Sequence, residues 1–178
     1  MSEKTNFGLL AEFNDATELY YACEKVRDAG FTKWDAHSPF PIHGLDGAMG
    51  LSRSRVPWIV FIMGLTGAGA GMFLQWWTSV VDYPVYIAAK PYFSWQAFVP
   101  VTFELMVLFA ALGAVLGMFA INRLPQHYHP LFSSERFERA TDDKFFISIE
   151  AADPNFQDGE TETFLASLGA AHVESVEG

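Results

Sequence analysis

Cysteine is almost missing from this chain: Cys23 is the only one among 178 residues. No internal disulfide can form, and no CxxC or CxxCH pair exists. Covalent c-type haem, an iron–sulfur cluster and a four-thiolate zinc site held by this chain alone are therefore excluded. Positive charge is scarce as well. Eleven Lys and Arg face 21 Asp and Glu, a formal net charge of −10. A nucleic-acid binder needs basic surface to displace counterions from phosphates, so the balance argues against that class. The N-terminus MSEKTNFGLLAEF carries acids and no long apolar core, which does not describe a signal peptide. No nucleophile–base set is present, so no catalytic residue is assigned and the chain is not expected to be an enzyme by itself.

What the chain has in excess is apolar residues, 51% of the total, and these are segregated from the charge. Between Val56 and Ile121 the only acids and bases are Asp82, Lys90 and Glu104. Two runs there, Val56–Trp77 and Phe98–Ile121, exceed the roughly 20 residues that cross a hydrocarbon core. They predict a two-helix transmembrane hairpin over 56–121 (56–77 and 98–121). Trp76, Trp77, Tyr83, Tyr86, Tyr92 and Trp95 gather around the loop between the runs, as an aromatic belt at one interface does. Arg53 and Arg55 precede the first run and Arg123 follows the second, whereas the loop balances Lys90 with Asp82. The positive-inside rule then predicts a multi-pass protein with both termini cytoplasmic and the loop periplasmic or outside.

The runs carry packing signals. Gly67-x-x-x-Gly71 in the first and Gly113-x-x-x-Gly117 in the second let helix backbones approach closely in lipid. They serve equally for packing within the hairpin or on another subunit. GLTGAGAG is not a phosphate loop, because no Lys-Ser/Thr follows it. Glu104 stands out, since an acid at that depth costs about 2–3 kcal/mol on insertion scales. Its candidate roles are a proton relay or an inter-subunit polar contact, against a neutral acid hydrogen-bonded to a neighbour.

The flanking arms repeat one pattern. In residues 1–37, Phe7, Leu9, Ala11 and Phe13 alternate as on a half-buried strand. Asn14 and Asp15, with Glu18, then cap a helix whose apolar stripe is Ala16, Leu19, Tyr20, Cys23 and Val26. Gly30 stops it, and Phe31–Ala36 reads as a second strand. Residues 144–178 repeat this with a strand at Lys144–Glu150, a helix at Gly159–Leu168 and a strand at Ala171–Val176. Neither half buries its sheet alone. Joined, they predict a small α+β, ferredoxin-like βαββαβ domain into which the hairpin is inserted.

Two connectors remain, 38–55 and 122–143. The first is rich in Pro and Gly and holds His43 and Asp46, and the second holds His127 and His129. With His37 nearby, the histidines raise a metal site as a rival reading. The spacing favours ordinary hydrogen-bonding contacts, so no metal or cofactor ligand is assigned.

The opening GLLAEF with its helix, the segment SPFPIHGLD, the glycine-rich first run and the second run ending in NRLPQHYHP together resemble the ActD family of alternative complex III. That complex is the bacterial quinol:electron-acceptor oxidoreductase. The likeness covers essentially the whole chain. It implies an accessory respiratory subunit of the inner membrane, partnered by large multi-helix subunits, with haems and iron–sulfur clusters on other chains and none here. The alternative from another class is a stand-alone membrane-tethered sensor of a small ligand or protein.

Overall fold

The computed structural model describes residues 6–86 and 88–178; the reading of the leading MSEKT lies outside the described residues. The structure divides into two compact units. One joins the described residues up to Ser52 with His127–Gly178, and the other is Arg53–Gln126.

The first unit is built on a four-stranded antiparallel sheet. Strand β1 (Asn6–Phe13) leads into helix α1 (Ala16–Asp28) and strand β2 (Trp34–His37). After the hairpin come β3 (Phe145–Glu150), helix α5 (Asp158–Ser167) and β4 (His172–Glu177). The order is β2-β3-β1-β4, with every neighbouring pair antiparallel. Each strand–helix–strand passage thus skips one strand of the other half, so the two halves interleave and neither has a sheet of its own.

Helix α1 starts where Asp15 accepts the Thr17 N–H at 3.0 Å and Glu18 reaches back to the Asn14 N–H at 3.3 Å. These bonds satisfy amides that no helical carbonyl can reach. It ends at Gly30, whose φ of 83° lies in the left-handed region. Its buried stripe is Leu19, Ala22, Cys23 and Val26, with Ala16 and Tyr20 partly buried at the margin. This stripe packs with Leu165 of α5 on Leu9, Ala11, Phe13, Phe145, Ile147 and Ile149.

Phe7 departs from its expected place. It packs on the opposite face, beside Leu10, Phe146 and Val176. The pairing of β1 with β4 shifts between Asn6 and Gly8, and such a shift by one residue moves a side chain to the other face. Gly8 is required there, because a Cβ would lie 2.0 Å from the Ile149 carbonyl oxygen. The second strand also starts later than Phe31. The amides of Thr32 and Lys33 are held at 2.6 Å each by the carboxylate of Asp153, so their N–H groups go to a turn, and only the Lys33 carbonyl reaches β3, accepting the Glu150 N–H at 2.9 Å.

Residues 38–52 of the first connector and 127–143 of the second belong to the sheet unit. From the first, the short helix α2 (Leu45–Ala48) is fixed to α1 by Arg27, which donates to the carbonyls of Gly47 and Ala48 at 3.1 and 3.0 Å. Ala48 is fully buried. From the second, 3₁₀ turns at Pro130–Ser133 and Arg136–Thr141 bring Leu131 and Ala140 onto the sheet's second face.

The second unit is a helical hairpin. Helix α3 (Val56–Trp76) continues through a wider turn to Asp82, and α4 spans Trp95–Ile121. Each stretch has 27 residues, about 40 Å at 1.5 Å per residue. Only 17% and 11% of their most apolar windows are buried within the structure. That separates them from the core helices of a soluble protein, whose apolar faces are covered.

Candidate functional site

The hairpin is held by its glycines. A Cβ at Gly67 would meet the Leu105 carbonyl oxygen at 2.3 Å, and one at Gly71 would meet the Thr102 Cα at 3.0 Å. At Gly113 it would meet the Met63 Cβ at 2.8 Å, and at Gly117 the Ile59 Cγ2 at 3.1 Å. All four therefore face the partner helix, where backbones close together gain van der Waals contact without any hydrophobic drive. Gly69, which has nothing within 4 Å, faces away. A polar clamp missed in the sequence lies at the same contact. Gln75 Nε2 donates to the Gly71 and Phe98 carbonyls at 3.0 Å each and approaches Thr102 Oγ1 at 3.3 Å. A lone glutamine inside an apolar run is the signal that could have found it.

Glu104 lies on the exposed side of α4, away from the glycine contact. The hairpin gives it no hydrogen-bond or ion-pair partner among the described residues.

The connector residues do not converge. His43 and Asp46 are exposed beside and on α2, and His127 is exposed within the exit connector. His129 is partly buried. Its Nδ1 accepts the Leu131 N–H at 3.3 Å, and its ring meets Phe7 edge-on with centroids 5.3 Å apart. The first of these contacts caps the turn that starts at Pro130.

The structure does bring His129 to His37. Both line a cavity of about 330 Å³ on the sheet's second face, with Phe7, Lys33, Asp35 and Ser148 among its walls. His37 Nε2 lies 3.3 Å from Ser148 Oγ, and Phe137 packs edge-on against the ring with centroids 4.9 Å apart. Burial pushes the His37 pKa below the ordinary imidazole value; Asp35 acts the other way and His129 adds to the lowering. No group of three or more His, Cys, Asp or Glu suited to a metal occurs among the described residues.

Two buried acids complete the picture, and neither was visible as such in the sequence. Glu12 pairs with Arg136 at 3.1 Å and Lys144 at 3.5 Å. Asp153 accepts from the Thr32 hydroxyl and from the amides of Thr32, Lys33 and Asn155. Burial alone would raise the Asp153 pKa, but the Lys33, Asn155 and Thr32 bonds outweigh it and the net shift is downward. These acids brace the fold; they do not form an acid–base pair facing a substrate.

Such an arrangement defines a small α+β protein carrying an apolar helical hairpin, with two candidate transmembrane helices. Residues 7–175 match the family model described as "Alternative complex III, ActD subunit". The chain belongs to that family and is thus a subunit of alternative complex III, a complex of the respiratory chain; the other subunits of that complex are its partners. No curated protein matches the chain significantly.

Proposed function

We propose that this chain is a non-redox accessory subunit of alternative complex III, whose hairpin crosses the bacterial inner membrane and packs on large membrane subunits. One observation carries this: the hairpin turns its largest apolar side chains, among them Trp58, Phe61, Phe73 and Phe103, outward. Only lipid or a partner's apolar surface can cover that much exposed hydrocarbon. Haems and iron–sulfur clusters then reside on partner chains. The sheet unit braces the assembly from the cytoplasmic side. Support for that placement comes from Arg53, Arg55 and Arg123 at the hairpin ends and from the return of both flanks to one sheet. The order read from the other edge, β4-β1-β3-β2, with α1 and α5 packed on one face, supports a ferredoxin-like βαββαβ topology for this unit.

The test is purification of the complex from carbonate-washed membranes in mild detergent. The chain is expected to stay with the membrane and to co-purify in fixed ratio with the other subunits. Release by carbonate, or recovery only as a free monomer, would overturn the reading.

Glu104 is a candidate for proton transfer, since ionisable side chains within apolar spans commonly mark proton paths or polar contacts. Glu104→Gln in the reconstituted complex is expected to lower proton translocation per electron; an unchanged ratio and rate removes the role. The cavity holding His37 and His129 favours a second reading, a small-ligand site in the sheet unit. Saturable binding that disappears in His37→Phe without loss of folding would establish it.

A further inference from the structure

A groove of about 490 Å³ runs along one side of the hairpin, with almost wholly apolar walls. Gly64 of α3, with Ala110 and Met106 of α4 against it, is the deepest part of the lining, and Phe61, Leu65, Val107 and Ala111 are exposed around it. An apolar groove between two helices accepts a ridge of side chains from a third.

Glu104 stands on the same helical stripe as Val107 and Ala111, three and seven residues on. An α-helical side chain leans toward the N-terminus of its helix, so the carboxyl extends the groove's line beyond its apolar section. The groove and the unpartnered acid are thus two parts of one surface. A lipid chain would fill the apolar part and leave the acid without a donor. A helix that carries a donor at the matching depth satisfies both.

We propose that this groove seats one transmembrane helix of a neighbouring subunit, which presents a cationic or hydrogen-bond-donating side chain to Glu104. The proposal deepens the accessory-subunit reading and rests on it. Glu104 is then a docking residue.

The experiment uses the complex in native membranes. A photo-crosslinking amino acid is placed at Ala111, with a control at Leu112, which is exposed and lies about 100° round the helix. The expected adduct at Ala111 is a transmembrane peptide of a co-purifying subunit, whereas Leu112 yields lipid. Ala111→Trp, which fills the groove, is expected to cut retention of the chain in the complex at least about tenfold, and Leu112→Trp to leave it unchanged. Glu104→Leu, which inserts more readily than the native chain, is also expected to lower retention. Lipid-only adducts at Ala111 overturn the docking surface, and wild-type retention of Glu104→Leu overturns the polar contact. Absence of the unsubstituted chain from the complex would instead overturn the accessory-subunit reading itself.

Discussion

At the centre of the sheet unit stand large side chains, Phe13, Phe146, Leu10 and Ile149, all fully buried. At the centre of the hairpin stand the smallest, Gly64, Gly67, Gly71, Gly113 and Gly117, while Trp58, Phe103 and Leu116 face out. Water drives large apolar surfaces together, so a unit folded in water gains most by hiding its bulk. Lipid gives no such drive, so a helix pair gains by close backbone approach and leaves its bulk to the surroundings. One chain therefore obeys two packing rules, with the change at the hairpin's flanks.

That comparison can be broken residue by residue, because the chain carries its own reporter. Cys23 is fully buried in the sheet unit, and burial, helped by Asp35, pushes its thiol pKa up to about 12. It is expected to resist thiol reagents in the native chain and to label only when the sheet unit opens. Its labelling reports on one unit and not the other.

The largest effect is expected at Gly8. Gly8→Val places carbon against the Ile149 backbone, where no rotamer change relieves the clash. A loss of about 3 kcal/mol or more follows, seen as Cys23 labelling in native buffer with the hairpin still helical. Next is Gly67→Leu, which pushes the Leu105 backbone away. Spin labels on Ile62 and Leu116 should report helix separation toward the roughly 8–10 Å of ordinary pairs, while Cys23 stays protected. Gly69→Leu should change neither reading; if it matched Gly67→Leu, the glycine contact would not be what holds the hairpin.

Asp153→Ala ranks third. It leaves the Thr32, Lys33 and Asn155 amides without their acceptor, at a cost of about 2–3 kcal/mol, read as a lower urea midpoint for Cys23 labelling. The smallest effect is pH dependence. His37 has a lowered pKa in the folded chain, so below about pH 6.5 the unfolded chain binds a proton that the folded one resists. Stability should fall as pH drops through that window, and His37→Gln should remove this part of the slope. The Asp153 pKa is lowered as well, so its contribution is full above about pH 4 and lost as pH falls through the folded value. A sheet unit equally stable at pH 7 and pH 5 would show that His37 is not buried as described.

Much of the architecture was legible in local pattern. The strands at Phe7–Phe13 and Lys144–Glu150 and the α1 stripe are recognisable because alternation and a 3.6-residue repeat are written in neighbouring residues. Legibility failed where a distant partner decides. Phe7 changes face because of the approach of Gly8 to Ile149. Thr32 and Lys33 leave the strand because Asp153, 120 residues away, takes their amides. The two connectors have no periodicity to read; their burial depends on Arg27 meeting α2 and on a second sheet face needing a lid. The pairing of His37 with His129 across one cavity, and the isolation of His43, likewise depend on where the sheet carries them.

By itself the sequence determined the separation into polar arms and apolar hairpin, the glycine spacing of the helices and the lone acid at Glu104. Each follows from composition over a short stretch, and insertion and helix formation act on short stretches. Only the tertiary structure decided which face each residue takes, which amides Asp153 holds, and that an apolar groove opens on the hairpin's outer surface. Those depend on contacts between segments far apart in the chain, where burial and hydrogen-bond satisfaction outweigh local preference.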